Sequence, residues 1–319
     1  MTDQRIVAFR AEMAGQDLSE TDLRNSDLSG TNISRANLSS VTAPHGKMQS
    51  MIADGTVFDE SDLAAADFRA SSLQRASLAA CELEHALFCA CNIAGGSLEG
   101  SNLQHANLAG AKLCAVDFTG ANLAHANLAE ADLTGATLDS ADLSNVTAPG
   151  AVFKNASLIG TNLRLADLSD CDFSHAQGMA ACFERASLRG TTFKAFRADG
   201  AVFEFADLRE ARLFSSDLKK ANFVGADLTG AMARNCQLTE ADFFWALIEE
   251  FVLDACTVLK VRYPEKLEIA YGPKGIQAPH VTPIPLYRRA ATAEERRALL
   301  ALVLEKKPLR SHSADRPNS

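Results

Sequence analysis

The sequence lacks long apolar runs, and it has only one tryptophan and three tyrosines in 319 residues. No segment approaches the roughly 20 consecutive apolar residues that a membrane-spanning helix needs, and the first ten residues have no apolar run typical of a signal peptide. The GxSxG, P-loop and HExxH motifs of common enzyme classes are missing too. We therefore expect a cytoplasmic protein that is not an enzyme, does not contact a membrane and needs no cofactor.

Basic residues are in the minority. The chain has 31 lysines and arginines against 40 aspartates and glutamates, which gives a net charge of -9 and a pI near 5.3. Direct binding to nucleic acid needs clustered positive charge that meets the phosphates. The composition therefore argues against direct nucleic-acid binding and is compatible with a basic protein partner.

What the sequence does have is a five-residue repeat, clearest at 101–110 and 121–130. Each unit has a small residue, then Asn or Asp, then a central Leu, then two freer positions. Central positions from Leu18 to Val258 make 49 units, of which 43 carry Leu, Phe, Ile, Met or Val. The exceptions are Ala43, Ala53, Ala148, Gly178, Ala198 and Ala233. A strand alternates every two residues and a helix returns every 3.6, so a period of five predicts a chain that turns a corner at fixed intervals.

The motif A(D/N)LxG, as in 131–135 and 226–230, resembles the pentapeptide repeat family. The resemblance implies an all-β solenoid, a right-handed quadrilateral β-helix of about twelve coils with four units in each coil. The central residue then points into the lumen. The residue two positions before it also points inward and must be small, because the lumen has no room for a second large side chain.

Domain boundaries follow from where the repeat begins and ends. We expect an N-terminal cap at 1–15, the β-helix at 16–260, a Pro-rich tail and a short α-helix at 261–310, and a disordered end at 311–319. The apolar residues of the short helix could cap the last coil or form a homodimer contact, since other family members join end to end. These residues are Leu299, Leu300, Leu302, Val303 and Leu304.

Residues spaced by twenty should share a column on one side of the solenoid. Two columns should stack phenylalanine rings, Phe183, Phe203, Phe223 and Phe243 in one and Phe153, Phe173 and Phe193 in the other. Pro44 and Pro149 each follow an alanine at the central position. Because proline lacks a backbone donor, we expect a bulge or an outward bend at both places.

The eight cysteines show neither CxxC pairs nor the spacing of a zinc site. Five of them occupy the small-residue slot: Cys81, Cys91, Cys171, Cys236 and Cys256. We interpret these five as reduced thiols that replace alanine in narrow inward pockets, which suits a reducing compartment.

A histidine column is a weak candidate for a metal site. His85, His105 and His125 are spaced by twenty and should lie about 5 Å apart on the outside. They could bind a metal or respond to pH, or they could form an exposed polar ladder without a specific role. The column contains no carboxylate or thiolate that would complete a metal site.

An outward apolar group is the candidate for partner binding: Phe205, Phe214, Phe244 and Trp245. Phe205 and Trp245 share a column with Gly225 between them, which predicts a shallow notch flanked by two aromatic side chains. Exposed patches of this kind usually mark a contact surface. The notch could receive the chain's own tail, a protein partner or a second copy of the chain.

Three functions are compatible with these features. The first is a non-enzymatic scaffold that binds another protein. The second is a DNA mimic that binds DNA gyrase, inhibiting it or protecting it from quinolones, as the resemblance implies for some family members. Many central positions are preceded by aspartate, either because Asp suits a corner by bonding to nearby backbone or because rows of acid are functional. The third is an effector or accessory protein of a bacterial secretion system.

Overall fold

The chain forms a parallel solenoid in which each residue lies above the residue twenty positions earlier. The computed structural model describes residues 13–262. Parallel bridges join partners such as Asp17 with Asn37 and Asn122 with Asp142, and the same twenty-residue step continues to the bridge between Asp242 and Arg262. Four turns occupy each step, so one coil consists of four five-residue units.

Most rungs are too short to count as strands, but one side near the C-terminal end forms a regular parallel sheet. Its strands are β1 (Thr192–Lys194), β2 (Arg212–Phe214), β3 (Met232–Arg234) and β4 (Val252–Asp254), in the order β1-β2-β3-β4. Phe193 pairs with Leu213, and the register is kept in the next two pairs. Residues 13–262 contain no helix, and none there could therefore cross a bilayer.

Four faces surround the lumen, and we name them by their central residues. The first face has centres 18, 38 and onward to 258, the second 23 to 243, the third 28 to 248, and the fourth 13 to 253. The central side chains from Leu28 to Leu238 are almost completely buried, as are most small residues two positions before them. The sequence prediction of which positions point inward is therefore confirmed.

The predicted phenylalanine stacks are also present. Along the second face, ring centroids from Phe183 to Phe243 lie 4.9, 4.9 and 4.7 Å apart with nearly parallel planes. On the fourth face, Phe173 stacks on Phe153 at 4.6 Å and on Phe193 at 5.3 Å. Such pairs contribute about 0.5–1.5 kcal/mol each beyond the burial of apolar area.

Every fifth residue turns a corner with a positive φ. This corner position, two residues after the centre, is left-handed at all positions from Gly15 to Lys260, whether or not it carries glycine. In most units the next residue donates its amide hydrogen to the carbonyl of the centre, as Ala126 does to Leu123 at 2.9 Å. A four-residue turn with positive φ only at its third residue is a type II β-turn.

The Asp or Asn before the centre stabilises this turn. Its Oδ1 accepts a hydrogen bond from the amide two residues later, as Asp142 does from Ser144 at 2.9 Å and Asn127 from Ala129 at 3.0 Å. The interpretation of these residues as corner formers that bond to nearby backbone is confirmed.

The prediction of bulges at Pro44 and Pro149 is wrong. Both prolines occupy the position directly after the centre, which is the favoured place for proline in a type II turn. The amide at this position makes no main-chain bond in ordinary units, so proline removes nothing from the ladder. The backbone bonds of Ala43 to Asp62 and of Ala148 to Asp167 remain intact at 2.8 Å.

The rule that the second inward residue must be small is also wrong at several places. Four units exchange the sizes of their two inward residues, so that a large residue occupies the small slot and alanine the centre. These pairs are Val41 with Ala43, Met51 with Ala53, Val146 with Ala148, and Phe196 with Ala198, all buried. In these four units, either inward position can therefore carry the larger side chain.

Turns that lose their internal hydrogen bond are repaired by a hydroxyl from the next coil. Ser61 Oγ accepts from the amide of Val41 at 3.1 Å and donates to the carbonyl of Leu38 at 3.0 Å. Ser216 does the same for Phe196 and Phe193 at 3.2 and 2.7 Å. Buried backbone groups are thus satisfied at these two turns, whereas the turn that ends at Val146 keeps its own hydrogen bond to Leu143 at 3.2 Å.

Several predictions lie outside the described residues. They are most of the N-terminal cap, nearly all of the Pro-rich tail, the disordered end, and the helix with Leu299, Leu300, Leu302, Val303 and Leu304. A dimer contact through that helix stays a prediction.

Candidate functional site: an apolar corner of the second face

Large apolar side chains occur at only three corner positions of the described solenoid: Leu165, Phe205 and Trp245. All three lie at the corner that follows the second face, and they are spaced by forty residues, or two coils. Leu165 is 46% exposed and Trp245 is 55% exposed, while Phe205 is partly buried. With about 4.8 Å between coils, the three side chains are distributed over about 20 Å. We call them the apolar corner.

The backbone at these positions makes large side chains unfavourable. Their φ angles are 59° at Leu165, 56° at Phe205 and 61° at Trp245, a region in which glycine and asparagine are favoured. A bulky residue in this conformation costs on the order of 1 kcal/mol, and an exposed side chain recovers little of that through burial. The apolar corner is thus not explained by the stability of the solenoid.

Trp245, at the C-terminal end of this corner, packs against Phe244, which is itself held by Arg262. The rings of Phe244 and Trp245 stack with centroids 5.0 Å apart and an angle of 20°. The guanidinium of Arg262 lies 4.4 Å from the centroid of the Phe244 ring and donates to Asp242 Oδ2 at 3.1 Å. These contacts restrict the Phe244 ring on which Trp245 packs. A tryptophan held in this way is typical of an aromatic anchor in an interface.

The structure separates Phe214 from the rest of the predicted group. Phe214 ends β2 on the fourth face, opposite the second face, where it lies between Lys194 and Arg234 in the sheet register. Phe205, Phe244 and Trp245 therefore share one side of the solenoid, and Phe214 does not belong to the same surface. Gly225, between Phe205 and Trp245, is buried.

Arg185 lies within the apolar corner, one coil from both Leu165 and Phe205. Its side chain is 20% exposed, and Nε and Nη2 are buried without a hydrogen-bond acceptor in the described part of the chain. The nearest carboxylate oxygen, Oε1 of Glu184, lies 3.9 Å from Nε. A buried guanidinium with unsatisfied donors is unfavourable by itself, so an acceptor brought by a partner would remove this penalty.

The histidine column forms a stack farther toward the N-terminus on the same corner. Ring centroids of His85, His105 and His125 are 5.0 Å apart in both steps, with angles of 13° and 11°. His85 also lies 3.5 Å from a carboxylate oxygen of Glu84. Over residues 13–262, no group of three or more His, Cys, Asp and Glu side chains is arranged to hold a metal ion. The geometry found here is a ladder of stacked imidazoles.

Comparison with protein families identifies the repeat. The family model described as pentapeptide repeats matches the chain in eight copies, and the matched segments are residues 9–42, 81–120, 117–155, 150–177, 156–194, 181–219 and 206–243. Together these segments cover more than half of the chain. No curated protein gives a significant match.

Solved structures of similar proteins were also found. HetL of the cyanobacterium Nostoc sp. strain PCC 7120, a pentapeptide repeat protein involved in the regulation of heterocyst differentiation, is 27% identical, with 77% of this chain and 94% of HetL covered at a TM-score of 0.34. A trypsin-treated form of QnrB1, a plasmid-mediated fluoroquinolone resistance protein, is 18% identical, with 48% and 92% covered at a TM-score of 0.31. Rfr23 of the cyanobacterium Cyanothece 51142 is 23% identical, with 46% and 92% covered at a TM-score of 0.17.

Proposed function

The chain belongs to the pentapeptide repeat family, and from this membership we propose that it is a non-enzymatic scaffold that binds another protein through the apolar corner. Proteins of this family form right-handed quadrilateral β-helices. The lumen of such a coil is filled by its own side chains, so ligands meet its outer faces and corners. The observation that carries the proposal is the placement of the exposed Leu165 and Trp245, with the partly buried Phe205 between them, at corners outside the core.

The chemistry of the corner defines what the partner must offer. An apolar surface is needed to cover Leu165 and Trp245, with an acceptor oxygen near Arg185. Interfaces commonly combine buried aromatic anchors with an arginine that is satisfied across the contact. We therefore expect an apolar partner segment that carries a carboxylate or a free carbonyl.

The test replaces the apolar corner without disturbing the backbone. A triple variant, Leu165→Asn, Phe205→Asn and Trp245→Asn, should fold normally, because Asn145, Asn155 and Asn235 already occupy corner positions with positive φ. Its matched control changes three alanines at corners that follow other faces, Ala90→Asn, Ala115→Asn and Ala195→Asn. Immobilised wild-type and control proteins should retain the same partner from cell extract, and the apolar-corner variant should lose it. Equal capture by all three proteins would contradict the proposal.

A second candidate is a DNA mimic that binds DNA gyrase. The negative charge of the chain favours this candidate. The net charge is -9, and acidic side chains occupy every second coil at the corner that follows the third face. These acids are Glu130, Asp170, Glu210 and Glu250. Against this candidate, several surface acids pair with arginines, as Asp207 does with Arg209.

The two candidates respond differently to one assay. A mimic should change DNA supercoiling by gyrase in a salt-sensitive way, because exposed charges are screened by salt, and the asparagine variant of the apolar corner should act as the wild type does. A scaffold that uses the apolar corner should leave supercoiling unchanged.

A further inference from the structure

Two cysteines lie one above the other inside the lumen. Cys236 and Cys256 are the only cysteines in the sequence that differ by twenty residues, so they occupy neighbouring coils of one column. Both fill the small inward slot on the first face, and both are buried. The amide of Thr257 donates to the carbonyl of Cys236 at 2.8 Å, which holds the two coils together at this point. Neighbouring strands are about 4.8 Å apart, so the two thiols lie side by side.

The two thiols are close enough to interact. A hydrogen bond from Cys236 to the thiolate of Cys256 lowers the pKa of Cys256 and raises that of Cys236. In the neutral pair, Sγ of Cys236 donates to the carbonyl of Leu213 at 2.8 Å. Sγ of Cys256 donates to the carbonyl of Ala233 at 3.4 Å. Both sulfurs thus lean toward the preceding coil, and about one coil spacing separates them.

Backbone amides face the two sulfurs because the turns of this column are open. The amide of Phe196 donates to Ser216 Oγ at 3.2 Å. One coil farther along, the amide of Ser216 bonds to the sulfur of Cys236, and the amide of Cys236 bonds to that of Cys256. An N–H donor favours the thiolate over the thiol. The column is therefore suited to negative charge on sulfur that a cation would neutralise.

The other inward cysteines have no thiol neighbour in their columns. Cys81, for example, lies between Ser61 and Ser101. Cys256 is also the most exposed of the five inward cysteines, at 6%, whereas the other four are at most 1% exposed. A small ion can therefore reach the stacked pair through Cys256.

We propose that Cys236 and Cys256 bind one Cu(I) ion as a linear bridge between their two coils. Thiolates are soft ligands that select Cu(I) over hard cations. With metal–sulfur bonds of about 2.3 Å, a linear bridge spans about 4.6 Å between the sulfurs, which matches the coil spacing and needs no convergence of the side chains.

Other metals fit this pair less well. Structural zinc takes four ligands, and within residues 13–262 no third His, Cys, Asp or Glu side chain is placed to join the pair. Calcium and magnesium prefer oxygen ligands. Binding of Cu(I) replaces one proton on each thiol and changes no oxidation state, so the protein should release protons as it takes up the ion.

The experiment titrates the full chain with Cu(I) without oxygen, in competition with the chelator bicinchoninate. The wild type should bind one ion tightly. Cys236→Ser and Cys256→Ser should each weaken binding about hundredfold or more, because one thiolate provides only half of the bridge. Serine suits this column, since Ser216 already occupies it. The matched control is Cys81→Ser, which removes a buried thiol without a thiol neighbour and should bind as the wild type does.

Two further measurements test the bridge itself. X-ray absorption at the copper edge of the wild-type complex should show two sulfur neighbours. Because the ion binds the folded chain and joins two coils, Cu(I) should raise the Tm of the wild type and of Cys81→Ser, and leave the Tm of the other two variants unchanged.

Several results would overturn the proposal. They are wild-type affinity in Cys236→Ser or Cys256→Ser, an equal loss in Cys81→Ser, and nitrogen or oxygen neighbours around the bound copper. Circular dichroism of each variant before titration checks that the solenoid is folded. None of these results bears on the apolar corner, because the thiol pair lies inside the lumen on the first face.

Discussion

At the scale of single residues, the environment of each outward or inward slot decides the chemistry of its side chain. The inward thiols show this most clearly. Burial raises the pKa of Cys81, Cys91 and Cys171 to about 12, and each thiol donates a hydrogen bond to a backbone carbonyl. These thiols stay protonated at neutral pH, and the thiolate is the reactive form.

Labelling of the native protein should therefore separate two classes of cysteine. Treatment with N-ethylmaleimide at pH 8 should modify the partly exposed Cys89 and Cys182 and leave Cys81, Cys91 and Cys171 unmodified, as peptide mass spectrometry would show. In denaturant all five should react. Rapid native labelling of the buried three would contradict their placement in the lumen.

The pair of Asp67 and Arg69 predicts how stability depends on acid. Hydrogen bonds from Arg69 lower the pKa of Asp67 from 3.8 to about 2. Because the folded pKa lies below the unfolded one, the contribution of the pair is complete above about pH 4 and is lost as the pH falls toward 2. For a pair in contact with solvent it stays below about 1 kcal/mol.

The variant Arg69→Gln should consequently show a smaller fall in Tm between pH 5 and pH 2.5 than the wild type. Arg197→Gln, at an exposed arginine without an acidic partner, is the control and should behave as the wild type does. An unchanged fall in Arg69→Gln would mean that the ion pair is not formed in solution.

At the scale of the five-residue unit, a small inward residue in one coil can be compensated by a large inward residue in the next coil. Gly178 occupies a central position, and a Cβ added there would lie 2.4 Å from Cζ of Phe196 in the next coil. The Phe196 ring therefore fills the space that a central leucine would otherwise occupy. The five-residue pattern alone predicts a small residue at position 196. The phenylalanine found there is explained only by the glycine at position 178 in the neighbouring coil.

A double-mutant cycle tests this exchange. Gly178→Leu alone should destabilise the solenoid by about 1–3 kcal/mol through overpacking, and Phe196→Ala alone by about 3–5 kcal/mol through a cavity. The double variant places a large centre at position 178 to fill the space left by the Phe196 ring, and it should be more stable than Phe196→Ala alone in urea unfolding followed by circular dichroism. Additive losses would show that the two sites do not share one space.

The five-residue register also determines how far sequence reasoning reaches. Because the period is fixed, arithmetic places Phe203 on Phe183 and His105 on His85, and the ring contacts confirm both placements. The same arithmetic placed Pro44 correctly, but the bulge predicted there is wrong, because the bonding of the residue after the centre depends on the turn type and not on the period. Turn chemistry is the information that the repeat pattern alone does not contain.

At the scale of the described solenoid, function depends on which corners carry unusual residues. The sequence pairs Trp245 with Phe205 because their positions are forty residues, or two coils, apart. Leu165 lies another forty residues earlier, but the sequence analysis did not include it. Phe214 was grouped with them because it is aromatic and outward, although it belongs to the opposite face. Exposure and the unsatisfied donors of Arg185 depend on packing between coils, which the sequence does not reveal.

Amide hydrogen exchange tests the five-residue coil most directly. In the unit around Leu123, the amides of Asn122, Leu123, His125 and Ala126 donate to backbone carbonyls, and the amide of Ala124 donates only to the Asn122 side chain. Exchange followed residue by residue should therefore rise at every fifth position, directly after each centre, along the ordinary units. Uniform exchange, or maxima spaced by two or by 3.6 residues, would contradict the coil and the apolar corner placed on it.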